Sequence, residues 1–122
     1  MEPDLFERYV AEALDALPEQ FRRALDNVEV VVEDWPDQDA MRRAGVRHRS
    51  QLLGLYHGVP LPQRTHYYTL VLPDKISIYR RPIMMRCRDW EQVRAMVHRV
   101  LRHEVAHYFG ISDERLHELN AY

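Results

Sequence analysis

His103-Glu104-Val105-Ala106-His107-Tyr108-Phe109-Gly110-Ile111-Ser112-Asp113 is the stretch on which the reading of this chain turns. It closes a run from Trp90 to Phe109 whose apolar spacing predicts one long helix. Asp89 can cap the start of that helix, Glu91 sits in its first turn, and Gly110 falls where a left-handed residue ends helices. Residues four apart on a helix stack on one face, so His103 and His107 can direct their imidazoles at one point. That arrangement supplies two ligands of a single divalent cation, and zinc accepts histidine nitrogen at about 2.0–2.1 Å. Glu104 is turned about 100° from His103. It need not be a ligand and can instead take the proton of a water held at the metal.

Working outward, Val93, Met96, Val97, Val100 and Leu101 form the apolar stripe of this helix, and His103, Glu104 and His107 fall on or beside it. A glutamate and two histidines at the core-facing end of a helix are costly to bury without partners. A cation at the floor of a cleft removes that cost. The motif also extends, because Gly110 follows His107 by three residues and Asp113 follows Gly110 by three. A glycine that reverses the chain lets Asp113 return as a third ligand through a carboxylate oxygen at about 2.0–2.2 Å. Glu114 and Glu118 compete for that role, and Asp113 can also serve as an N-terminal acid of a last short helix.

The rest of the chain supplies the frame. Residues 3–16 predict an amphipathic helix with Phe6, Val10, Leu14 and Leu17 on one face, and residues 18–25 a shorter one after Pro18. Val28 to Val32, Leu52 to Tyr56 and Lys75 to Tyr79 read as strands, and Tyr67 to Leu72 has strand propensity. Residues 36–50 are polar and arginine-rich without a sustained period; they read as a loop with one helical turn around Ala40 to Ala44. Pro82 closes the last strand, and Ser112 or Asp113 caps a short final helix through Glu118. Helices, then strands, then helices predict an α+β fold, a small mixed sheet of three to four strands covered by helices on one side.

Composition narrows the class. The 122 residues are 46% hydrophobic and 30% charged. That suits one globular domain over residues 1–122 and excludes a disordered, collagen-like or multi-pass membrane chain. Cys87 is the sole cysteine, so neither an intramolecular disulfide nor a four-cysteine zinc site can form. A reducing cytoplasm is the expected compartment. The acidic start, Met1-Glu2-Pro3-Asp4, lacks the basic n-region of a secretory signal, and no apolar run suits a membrane span. Net charge is −2, but residues 1–39 hold 12 acids and 3 bases while residues 40–103 hold 3 acids and 13 bases. Either the two segments face each other in the fold, or the basic one meets an anionic partner.

The chain resembles the minimal zincins, a family of short bacterial zincin-like metallopeptidases. The resemblance rests on Leu52 to Leu61, on Leu72 to Tyr79, and above all on His103 to Leu119 with its Gly-Ile-Ser-Asp-Glu-Arg-Leu run. The H-E-x-x-H-x-x-G-x-x-D form is similar to that of snapalysin-type peptidases, whose aspartate is a zinc ligand. The methionine turn of longer metzincins has no counterpart in the nine residues after Asp113. The resemblance implies a zincin-like α+β fold with the motif on an active-site helix. It implies one Zn2+ held by His103, His107 and Asp113, and peptide-bond hydrolysis by a zinc-activated water with Glu104 as general base. Peptide or protein substrates would add as a strand along the sheet edge near Leu52 to Tyr56. Tyr56, His57, Tyr79 and His117 are the side chains able to stabilise an oxyanion, and spacing fixes none of their positions. Two readings compete. Zinc can tie the last helix to the long one in a non-catalytic binding module. Alternatively, the arginine-rich middle, with Arg42, Arg43, Arg47 and Arg49, can serve a metal-dependent RNA-processing hydrolase. Asp113 where such enzymes carry histidine, together with Glu104, weighs against RNA.

Overall fold

A computed structural model of the chain describes residues 3–58 and 74–111. Helix α1 spans Pro3–Asp15 and α2 spans Glu19–Ala24, followed by strand β1, Val28–Glu33. Helix α3, Gln38–Ala44, and a 3₁₀ turn at Arg49–Gln51 lead into β2, Gly54–His57. Strand β3 is Asp74–Tyr79, α4 is Arg80–Met85 and α5 is Trp90–Phe109.

The described strands form a mixed sheet in the order β1-β3-β2, with β1 parallel and β2 antiparallel to β3. Ile76 and Ile78 of β3 point to the face covered by α5, where Val93, Val97, Leu101 and Val105 are fully buried. Helix α1 packs beside α5, and its Phe6, Val10 and Ala13 fill the same core. Tyr9 meets Trp90 edge-on at 6.0 Å. Several acids of the N-terminal segment do face bases of the middle segment. Glu12 bonds Arg94 and His98 of α5, and Arg80 pairs with Glu7 and Asp34. No helix of the described residues is long and apolar enough to cross a membrane.

The ends of α5 are set by the residues expected to set them. Asp89 accepts from the Gln92 N–H at 2.9 Å, and Gly110 adopts φ 68°. Three expectations change. Residues 38–44 are a helix of seven residues, not a loop with one turn: Asp37 caps it by accepting from the Ala40 N–H at 2.8 Å, and Gly45 ends it at φ 72°. The helix buries little besides Ala40, which is why no apolar period marks it. Pro82 does not end a strand but sits in the first turn of α4, where a missing N–H costs nothing. Finally, helices do not lie on one side only. Ala40 of α3 packs with Leu52 and Tyr79 against the second face of the sheet, joined by Leu55. The Tyr67 to Leu72 segment and the short final helix fall outside the described residues.

Candidate metal centre

The site arises where α5 meets β2. Gly54 permits the contact, because a Cβ there would lie 2.7 Å from Val100 Cγ1, 3.2 Å from the Ser77 carbonyl oxygen and 3.4 Å from Glu104 Cγ. Tyr79 N–H donates to the Leu53 carbonyl at 2.9 Å, so odd-numbered residues of this strand turn their backbone groups toward β3. Gly54 and Tyr56 therefore turn theirs to the outer edge, and β2 is the edge strand of the described sheet. The Tyr56 N–H uses that direction to donate to Glu104 Oε1 at 2.8 Å. Glu104 is only 5% exposed, and this bond supplies part of what a carboxylate loses on leaving water.

One helical turn separates His103 from His107. Their rings lie 4.4 Å apart between centroids, tilted by 59°. His107 Nδ1 is 3.5 Å from Glu104 Oε1. One donor atom from each of His103, Glu104 and His107 falls within 4.8 Å of the others. The two histidines are exposed while the glutamate between them is buried. The apolar stripe thus carries Glu104 against the sheet edge and leaves both imidazoles on its rim, facing a cavity of about 700 Å³. The cavity wall runs from Arg43 and Ala44 of α3, past Leu52–Leu55, to Arg99 and Val100 of α5. Two imidazoles that open on a cavity fit a borderline cation such as zinc, with room left for a water and a substrate.

The structure brings together His103, Glu104 and His107 as their spacing predicts. Asp113, its competitors Glu114 and Glu118, and His117 lie outside the described residues. Two oxyanion candidates point elsewhere. His57 sits on the opposite sheet face with Nε2 3.0 Å from Ser77 Oγ. Burial, aided by Lys75 and Arg43, holds its pKa below the ordinary histidine value. Tyr79 is buried on that same face, and burial pushes its hydroxyl up to about 12. Tyr56 lies in the core with its ring edge-on to Tyr108 at 5.5 Å. Three features escaped sequence reasoning: the Tyr56 N–H, the close approach at Gly54, and the arginines of the cavity wall. Only Arg99, four residues before His103, left a readable signal in its spacing.

A long helix that sets two histidines and a buried glutamate beside an edge strand, in an α+β fold, is the architecture of a zincin-like metal hydrolase. The family model for zincin-like metallopeptidases matches residues 25–122, and the chain belongs to that family. No curated protein matches the sequence.

Proposed function

We propose that the protein is a zinc-dependent peptidase in which His103 and His107 hold the metal and Glu104 is the general base. Asp113 completes the ligand set in this reading. The observation that carries it is the burial of the Glu104 carboxylate between two exposed histidines, anchored on the Tyr56 N–H beside an open cavity. A metal that served only to tie helices together would give no reason to bury a glutamate at the rim of a cavity. Zinc, when bound, supplies Lewis acidity toward a peptide carbonyl and lowers the pKa of water.

The chain's own groups do the remaining work. Tyr56 N–H fixes one oxygen of Glu104 and so orients the carboxyl that takes a proton from the attacking water. The same carboxyl then returns that proton to the departing amine. Strand β2 lies against Glu104 at Gly54 and Tyr56, so an extended peptide laid along it would be held in register beside that carboxyl.

Replacing Glu104 by glutamine tests this directly. Glu104→Gln should retain zinc, measured by elemental analysis, and lose at least about 10²–10⁴-fold in hydrolysis of casein or a peptide library. Equal hydrolysis by the variant and the wild type would remove Glu104 from the mechanism.

A further inference from the structure

The basic middle of the chain has a use that the peptidase chemistry leaves open. Many of its cations are engaged in helix-surface or tertiary contacts: Arg94 with Glu12, Arg80 with Glu7 and Asp34, and Arg86 with the carbonyls of Ser50 and Pro82. Two others line the cavity that holds the candidate metal ligands, Arg43 on one wall and Arg99 on the other. Arg43 shares Asp39 with Arg42, at 3.0 Å and 4.0 Å respectively. Arg99 has no acid partner among the described residues and is exposed.

The positions of these two arginines relative to the chemistry follow from helix and strand geometry. Arg99, His103 and His107 recur every four residues, so they form one stripe along the cavity side of α5. Arg99 stands about 6 Å along the helix axis from His103. Gly54 packs against Val100 and Tyr56 against Glu104, so the Gly54 end of β2 runs beside Arg99. An extended peptide advances about 3.3 Å per residue. A substrate lying along β2 with its scissile bond at Glu104 therefore brings a group about two residues away to Arg99.

Resting on the peptidase reading, we propose that Arg99 and Arg43 form a carboxylate subsite, selecting peptides with an anionic group about two residues from the bond that is cut. Guanidinium groups pair with carboxylates through two parallel hydrogen bonds, and a cavity lined by two of them attracts such a group before the peptide docks. The carboxylate can belong to an internal aspartate or glutamate, or to the free C-terminus of a short peptide. Both place the same group at the same distance.

The test uses the zinc-loaded full chain and a set of peptides of one sequence. Glutamate or glutamine occupies each position within three residues of the cut, and the C-terminus is either free or amidated. The expected result is a kcat/KM about five- to tenfold higher for the acidic member at the position two residues away. In Arg99→Gln that ratio falls to about two or less, and Arg43→Gln lowers it in part. Arg88→Gln removes the same charge from an exposed site outside the cavity and leaves the ratio unchanged. The preference weakens with added salt. A preference for free over amidated C-termini supports the subsite and names the C-terminus as its source. Peptides cleaved with equal acidic and neutral rates, or with a ratio that Arg99→Gln does not move, overturn the carboxylate subsite and leave the peptidase reading standing. Peptides neither cleaved by the wild type nor bound by zinc-loaded Glu104→Gln overturn both.

Discussion

Helix α5 carries two clusters that pair a glutamate with histidine, and they differ in a way that separates scaffold from site. Toward the N-terminal half, Glu12 reaches across from α1 to bond Arg94 and His98, the latter at 2.8 Å. Those partners, Arg94 foremost, hold its carboxyl below the ordinary glutamate value, and the cluster is partly exposed at the surface. Toward the C-terminal half, Glu104 is buried, takes a backbone N–H from β2, and lies between two exposed histidines at the mouth of a cavity. The first arrangement is an inter-helix ion pair, and such pairs near the surface contribute little to stability. The second holds a carboxylate out of water, where its position is fixed and its interactions with a bound cation are strong. Residue types alone do not tell the two apart. Burial and the direction of the cavity do.

The largest effect that can break the comparison is catalytic. Glu104→Gln should abolish hydrolysis while Glu12→Gln leaves it close to wild type. The next largest is packing. Leu101→Ala, at a fully buried position between the two clusters, should cost about 2–5 kcal/mol in urea unfolding. Gly54→Ala comes third. Its methyl group collides with Val100 and forces β2 away from α5, at about 1–3 kcal/mol. Because the strand also positions Glu104, hydrolysis should fall in Gly54→Ala more than stability alone explains.

Smaller effects sharpen the contrast through pH. The folded protein holds His57 below its ordinary pKa, so the unfolded chain binds the proton first on acidification. Stability should therefore decline as pH falls from about 7 toward 5, and His57→Gln should flatten that slope in thermal melts. Glu12 is lowered too, by its ion-pair partners and not by burial. Its lowered pKa gives a contribution present above the ordinary glutamate range and lost as pH falls through the depressed value. Glu12→Gln should thus lower the melting temperature slightly at neutral pH and low salt, with the difference vanishing in strong acid.

Much of the frame was legible because local signals and global fold agree. Asp89 and Gly110 bound α5 where the sequence puts its ends, and the valines of β1 and isoleucines of β3 alternate as strands should. Misreadings occur where tertiary packing takes over. Helix α3 is held by a cap at Asp37 and a left-handed Gly45 rather than by an apolar stripe. Pro82 is compatible with both a strand end and a helix start, and only the chain after it decides. At the site, the i, i+4 spacing of the histidines is local and was readable. The bond between Tyr56 N–H and Glu104 joins residues 48 apart in sequence and depends on β2 register, on which no local pattern reports. The cavity wall is hidden for the same reason, since only the fold brings Arg43 and Arg99 to one cavity.

The most direct measurement of the central claim is zinc stoichiometry on the metal-stripped full chain, titrated and then assayed by elemental analysis. The wild type should take up one equivalent, and His103→Ala and His107→Ala should each lose it while keeping the wild-type far-UV spectrum. Glu12→Gln and His98→Ala should bind as the wild type does. A wild type that takes up no zinc, or histidine variants that bind it as tightly as the wild type, would contradict the assignment of the metal to His103 and His107.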